Sequence, residues 1–127
     1  MTVHHIDARQ LLWAARRLPG APGVHDHGAL IAAAHRTTAE VFRNEVYDSA
    51  PLKAAALLQT LVLLRPLEHG NRMLGFGAAR AFLAANGLHI RPRPDELRAL
   101  LASVEPGAAG VRAVAERLTR WARPEAP

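Results

Sequence analysis

The segment from Leu52 to Leu64 constrains the fold of this chain most, because it is apolar on nearly every side. Pro51 precedes it at a position that suits the first turn of a helix. A helix that is apolar all round must be covered by other elements, and this run is shorter than the ~20 apolar residues of a membrane span. The segment therefore predicts a central, buried helix in an all-α domain.

Other helices are predicted to surround this central one. Apolar residues at helical spacing predict them at Ile6–Leu18, Gly28–Val41, Asn71–Asn86, Asp95–Val104 and Val111–Ala122. Asp7 and Gln10 have the spacing of a capping box for the first helix, and Gly87 suits the end of the fourth. Residues 42–49 lack helical periodicity and predict a loop or short hairpin. We therefore expect a bundle of about six helices.

The length of 127 residues suits one domain, which we assign to residues 1–127 with a loose tail at 123–127. The chain has no Cys, so it contains neither a disulfide framework nor a thiolate metal site. A cysteine-free chain fits a reducing compartment, and no segment is typical of a leader or a membrane span. The expected location is the cytoplasm, without a membrane partner.

The net charge is +5, carried by fifteen Arg and a single Lys. Arg forks bind carboxylates and phosphates, so a nucleotide or an acidic protein suits this balance. A genome rich in Arg and Ala codons would give the same composition without any such partner. The chain has only three Phe, two Trp and one Tyr, which disfavours stacking on nucleic acid. Lys53 is read as a solvated residue near a helix start. The basic residues near the C-terminus are read as a solvated helix face; they are Arg112, Arg117, Arg120 and Arg123.

Residues 65–73 read Arg-Pro-Leu-Glu-His-Gly-Asn-Arg-Met. This stretch resembles the signature loop of the Fic/Doc (death-on-curing) family, His-Pro-Phe-x-Asp-Gly-Asn-Lys-Arg. Four further segments match the family in the same order, namely His25–Leu30, Phe42–Tyr47, Lys53–Leu58 and Phe82–Gly87. The resemblance implies a Fic/Doc-like fold and transfer of phosphate or AMP from a nucleotide, ATP with Mg²⁺, to a protein hydroxyl.

The resemblance also assigns a nucleotide- and anion-binding set to the loop: Glu68, Gly70, Asn71 and Arg72. The residues themselves favour this chemistry, because Gly70 and Asn71 open a predicted helix. Unpaired N–H groups and the helix dipole attract an anion at such a helix start. Arg72 adds a guanidinium fork that can bind phosphate at two points.

Three positions depart from the family pattern. Arg65 stands at the place of the catalytic His, and a guanidinium does not accept a proton near neutral pH. His69 replaces the acidic residue that holds magnesium, a cation that prefers oxygen ligands, and Met73 replaces an Arg that neutralises phosphate. Glu68 or His69 could compensate only if the loop were remodelled. We therefore expect weakened or lost activity; the alternative is a non-catalytic anion-binding or protein-interaction module.

Glu45 and Tyr47 fall in the segment that the resemblance assigns to a flap for target docking. The alternative is a plain loop anchored by the rings of Phe42 and Tyr47. The resemblance further implies an acidic antitoxin or another protein partner and a target in the translation machinery. Seven His residues do not have the spacing of a ligand set, so no structural metal is expected. Asp26 is read as a helix cap.

Overall fold

The computed structural model describes residues 2–124. In chain order, its elements are α1 (Ala8–Arg16), α2 (His27–Arg36), β1 (Glu40–Val41), β2 (Asn44–Glu45), α3 (Ala50–Leu64), α4 (Asn71–Ala85), β3 (Leu88–His89), α5 (Pro94–Ala102), α6 (Gly107–Trp121) and β4 (Arg123–Pro124). The strands are very short, so the predicted all-α bundle of about six helices is confirmed.

Helix α3 is the centre of the bundle, as its apolar sequence predicted. It packs against α2, α4 and α6, and every residue from Lys53 to Val62 is buried. Leu57, Leu58 and Leu61 lie in the main apolar core. Within residues 2–124, none of the helices is long and apolar enough to cross a membrane.

Side-chain caps fix the starts of the first three helices. Asp7 and Gln10 form the predicted capping box of α1, with the Gln10 N–H 2.8 Å from the Asp7 carboxylate. Asp26 accepts from the N–H of Ala29 at 3.2 Å and caps α2, as predicted. Ser49 caps α3, with Pro51 in its first turn. These local sequence signals therefore specify where each of the three helices begins.

Helix α2 ends at Arg36, earlier than the predicted Val41. The Thr37 hydroxyl donates to the carbonyl of Ala34 at 2.8 Å, and the residues that follow enter the hairpin. β1 and β2 pair antiparallel, which confirms the predicted hairpin. Phe42 at its tip is 93% exposed, so the prediction that its ring anchors the segment was wrong.

A second antiparallel pair, formed by β3 and β4, was not predicted. Leu88 lies opposite Pro124, and His89 lies opposite Arg123. The first two residues of the segment predicted as a loose tail thus pair with β3, which follows α4. Residues 125–127 lie outside the described residues. Two-residue strands leave almost no periodic signal, which explains why the sequence did not reveal them.

The last two helices differ from prediction mainly at their ends. α5 ends at Ala102 rather than Val104, and α6 begins at Gly107 rather than Val111. Leu100 in α5 and Val114 and Leu118 in α6 were predicted to face the core, and all three are buried. Apolar spacing identified these helices, whereas their ends depend on local capping that the spacing does not encode.

Candidate functional site

The loop between α3 and α4 turns on two left-handed residues. Arg65 ends α3 at φ 50° and ψ 62°, and Gly70 precedes α4 at φ 80° and ψ 15°. Glycine adopts this conformation without a steric penalty, but a non-glycine residue such as Arg65 pays about 1–2 kcal/mol. The surrounding contacts must therefore hold Arg65 in place, and the loop has a defined shape.

Asn71 closes this loop from inside. Its side-chain oxygen accepts the N–H of Leu67 at 2.9 Å, and its amide nitrogen donates to the Leu67 carbonyl at 3.0 Å. The side chain is buried. Asn71, the predicted anion-binding residue, therefore also stabilises the loop, because its amide oxygen and its amide nitrogen both bond the backbone of Leu67.

The linker between α1 and α2 holds the loop from outside. The carbonyl of Pro66 accepts the N–H groups of His25 and Asp26 at 2.9 and 3.2 Å. The Glu68 carboxylate accepts the N–H of Gly23 at 3.2 Å, and the Glu68 N–H donates to the Gly23 carbonyl at 3.0 Å. Glu68 is thus committed to a backbone partner and acts as a clamp.

A cleft of about 550 Å³ lies between this loop, the end of α3, the start of α4 and the end of α5. Arg65, Glu68, His69, Gly70, Asn71, Arg72 and Met73 contribute to its lining. The structure therefore brings together all the predicted loop residues. It does not bring the hairpin residues Glu45 and Tyr47 to this cleft.

The start of α4 presents free backbone donors to the cleft. No side chain caps this helix, and the first intrahelical N–H bond recorded is that of Leu74 to the Gly70 carbonyl at 2.9 Å. Among residues 2–124, the N–H groups of Asn71, Arg72 and Met73 have no hydrogen-bond partner. Together with the exposed guanidinium of Arg72, they form an arrangement that favours an anion.

Arg65 and His69, the two candidate catalytic residues, do not form an acid–base pair. Arg65 is exposed at the rim of the cleft and cannot accept a proton. His69 packs against Gly20, where an added Cβ would lie 3.1 Å from its ring carbon Cε1. No hydrogen bond links the His69 ring to any other described residue. Nothing in the described loop therefore positions His69 as a replacement base.

The loop also offers a poor donor set for Mg²⁺, which prefers oxygen ligands in octahedral geometry. Glu68 is its single carboxylate and is bonded to Gly23, whereas His69 supplies nitrogen. Within the described part of the chain, no three His, Asp or Glu side chains converge in a geometry suited to a metal ion. The residues present do not fit the magnesium that the resemblance implies.

Neither predicted flap residue lines the cleft: Glu45 lies at the opposite end of α3, whereas the Tyr47 hydroxyl contacts Arg36 beside the middle of that helix. Glu45 bonds Lys53 in the first turns of that helix, and the loop begins where the helix ends. At 1.5 Å per residue, the 15 residues of α3 separate these ends by about 20 Å. Tyr47 packs its ring beneath the guanidinium of Arg36, 5.1 Å away. Both residues therefore anchor the hairpin to the bundle.

Lys53 and Arg36 are the polar residues whose role sequence reasoning missed. Lys53 was read as solvated but is buried, and its ammonium donates to three oxygens. Arg36 donates to the Tyr47 hydroxyl, to Gln59 at 2.6 Å and to Thr60 at 2.9 Å. One signal was available: Lys53 is the single Lys in the chain, and it stands in its most apolar helix.

Replacing Asn71 with Ala is expected to destabilise the fold as well as to affect ligand binding. The change leaves the buried N–H and carbonyl of Leu67 without partners, at a cost of about 1–2 kcal/mol because cleft water can partly replace them. Urea denaturation would measure this loss. Equal stability of Asn71→Ala and the unmodified protein would contradict the bracing role.

No protein-family model matches the chain. A segment of 76 residues, 60% of the chain, is 40% identical to toxin Doc of Mycolicibacterium smegmatis (strain ATCC 700084 / mc(2)155). The matched segment spans 58% of the length of that curated relative. This likeness supports a Fic/Doc family relationship, in agreement with the segments that the sequence shares with the family.

Proposed function

We propose, from the Fic/Doc relationship, that this chain is a Doc-like toxin-family protein whose loop binds a phosphate-bearing ligand. In this proposal, the family's transfer of phosphate or AMP to a protein hydroxyl is weak or lost. The cleft at the start of α4 carries the proposal, since free N–H groups and two guanidinium groups meet there. Anions are stabilised at such a helix start.

The proposed loss of turnover follows from the groups that face the cleft. Arg65 cannot act as a general base, and the loss of a positioned base removes about 10²–10⁴ of rate. Glu68 and His69 do not supply the oxygen donors that Mg²⁺ requires. Met73 adds no charge at the place of the family's terminal Arg. Anion binding needs none of these three functions, so it survives their replacement.

Arg72→Gln is expected to weaken ATP binding about tenfold or more, because a charge-assisted bond to phosphate contributes about 1.5–3 kcal/mol. Isothermal calorimetry with ATP would measure the dissociation constant. Arg80→Gln is the matched control, since Arg80 is an exposed Arg further along α4 with the same charge. The affinity should not depend on added Mg²⁺. Undetectable ATP binding by the unmodified protein would contradict the proposed anion site.

Restoring the family residues together should restore transfer, whereas restoring the base alone should not. Arg65→His supplies a base but leaves the metal and phosphate positions unfilled. We expect label transfer from radioactive ATP to lysate proteins only for the triple variant Arg65→His, His69→Asp, Met73→Arg. Robust transfer by the unmodified protein would refute the proposed loss of activity. Transfer by Arg65→His alone would show that the base was its single missing function.

The second candidate function is a non-catalytic interaction module, and the rim of the same cleft favours it. Leu63 and Met73 are 39% and 54% exposed and line the cleft together with Arg65 and Arg72. An acidic antitoxin segment with apolar side chains would match such a rim. Co-expression with the product of the adjacent gene tests it. Co-purification that Arg65→Glu together with Arg72→Glu abolishes would support the module, and retention of the complex by that variant would exclude this surface.

A further inference from the structure

A second basic cleft lies at the other end of α4 from the loop. Its volume is about 560 Å³, and it is lined by His89, Arg91, Arg120, Trp121, Arg123 and Pro124. These residues come from the β3–β4 pair, the linker to α5 and the end of α6. The 15 residues of α4 place it about 20 Å from the loop cleft. None of its residues lies in a segment that carries the Fic/Doc resemblance.

The three guanidinium groups of this cleft lack acidic partners within residues 2–124. No Asp or Glu oxygen there lies within 4.0 Å of Arg91, Arg120 or Arg123. Arg93, two residues beyond Arg91, instead lies 3.5 Å from Asp95 and 3.4 Å from Glu96. The carboxylates of Asp95 and Glu96 are therefore paired with Arg93 and not with a residue of the cleft. Among residues 2–124, the result is a concave surface whose three guanidinium groups have no acidic partner.

The backbone holds part of this cationic set in position. Arg123 lies directly opposite His89 in the β3–β4 pair, so the two side chains share one face. One guanidinium nitrogen of Arg123 donates to the carbonyls of Arg120 and Ala122 at 3.0 and 2.8 Å. These bonds also cover carbonyls at the end of α6, which would otherwise repel an anion. The remaining N–H groups of Arg123 make no hydrogen bond within the described residues.

Trp121 gives the cleft an aromatic surface beside its positive charge. The residue is half-buried and packs against the apolar core, so its ring is held while one side lines the cleft. Indole rings stack on nucleobases and contribute about 1–3 kcal/mol per base. The volume lies within the range of sites for small ligands, about 300–1,000 Å³. Charge, ring and size together describe a ligand with phosphates and one aromatic base.

We propose that this cleft is a second binding site for a nucleoside polyphosphate. Arg91, Arg120 and Arg123 bind the phosphate groups, because guanidinium forks match phosphate oxygens. The base stacks on Trp121. The site is independent of the proposed loop function, since no residue is shared between the two clefts.

Tryptophan fluorescence tests this site directly. The chain contains two Trp residues, so Trp13→Phe leaves Trp121 as the single reporter. Titration of this variant with ATP should change its fluorescence in a saturable manner, with calorimetry as the second readout. When Arg120→Gln and Arg123→Gln are both added to the Trp13→Phe variant, the ATP affinity reported by Trp121 should fall at least tenfold. Arg93→Gln is the matched control and should have no effect, with circular dichroism confirming the fold of each variant.

Binding of three ligands distinguishes a nucleotide from other phosphate-bearing molecules: ATP, inorganic tripolyphosphate and a single-stranded oligonucleotide. ATP should bind at least fivefold more tightly than inorganic tripolyphosphate, and equal affinities would refute the stacked base. If a single-stranded oligonucleotide bound far more tightly than ATP, the ligand of this cleft would be nucleic acid, and the proposal of a small nucleotide would be overturned. Absence of a Trp121 response, together with calorimetric binding that Arg120→Gln and Arg123→Gln leave unchanged, would overturn the proposal.

The loop variant Arg72→Gln separates this site from the proposed function. It should leave the Trp121 response unchanged even when it abolishes binding at the loop. Loss of the Trp121 response in Arg72→Gln would assign the signal to the loop and overturn the second site. Conversely, a normal Trp121 response with no ATP bound at the loop would contradict only the proposed function.

Discussion

Lys53→Met is expected to lower the free energy of unfolding by about 2–4 kcal/mol. The Lys53 side chain is 2% exposed, and its ammonium lies 3.0 Å from the Thr37 carbonyl and 2.6 Å from the Tyr47 carbonyl. Met preserves the apolar stem but removes every donor. Both carbonyls then lose their partner, and the hairpin loses its attachment to α3.

The ion pair of Lys53 with Glu45 contributes less than these carbonyl bonds. The two groups lie 3.0 Å apart, but the Glu45 side chain is 45% exposed and is screened by solvent. Glu45→Gln should therefore cost less than about 1 kcal/mol. Urea denaturation of the two variants side by side measures both losses. If Glu45→Gln lowered the free energy of unfolding as much as Lys53→Met does, the stabilisation would come from the ion pair. If Lys53→Met left the free energy of unfolding unchanged, Lys53 would not anchor the hairpin to α3.

Gly110→Ala is expected to cost about 3 kcal/mol or more, through overpacking against backbone. A Cβ at this position would lie 1.9 Å from the carbonyl oxygen of Glu105 and 2.9 Å from the amide nitrogen of Gln59. The same amide nitrogen donates to the Glu105 and Gly107 carbonyls at 2.7 and 2.9 Å. A methyl group here must displace the turn before α6 and break its link to α3.

Gly77→Ala provides the matched control, because Gly77 also lies inside a long helix. No described atom lies within 4 Å of a Cβ added there. Ala should therefore stabilise the protein by about 0.5–1 kcal/mol, through helix propensity alone. Thermal and urea unfolding of both variants would show opposite signs. A Gly110→Ala protein that is as stable as Gly77→Ala would contradict the close approach of α6 to the preceding turn.

Much of the fold was predictable because its signals are local or periodic. The apolar run before Arg65 specified the buried helix α3, since only a central position covers a helix that is apolar all round. Asp7, Asp26 and Pro51 marked helix starts through the donors or angles they supply. The sequence also located the loop that lines the first cleft, since Gly70-Asn71 is a helix start in its own right.

Several features that the sequence did not reveal depend on contact between residues far apart in the chain. Lys53 was read as solvated because nothing beside it in sequence supplies its acceptors, which come from Thr37 and the hairpin. The contacts of Glu45 with Lys53 and of Tyr47 with Arg36 likewise depend on folding, and the docking role of Glu45 and Tyr47 stays a prediction. The β3–β4 pair joins segments whose partners, such as His89 and Arg123, have no local signal for each other.

The sequence by itself determined that the chain forms a helical bundle around α3 and that Arg65, His69 and Met73 depart from the signature that the loop resembles. These conclusions depend on residue type and spacing, which a sequence states directly. Only the tertiary structure decided what each loop residue does. It committed Asn71 to Leu67 and Glu68 to Gly23, because folding brought backbone donors and acceptors to those side chains. It also gathered Arg91, Arg120 and Arg123 into one cleft, from segments that only tertiary packing places together.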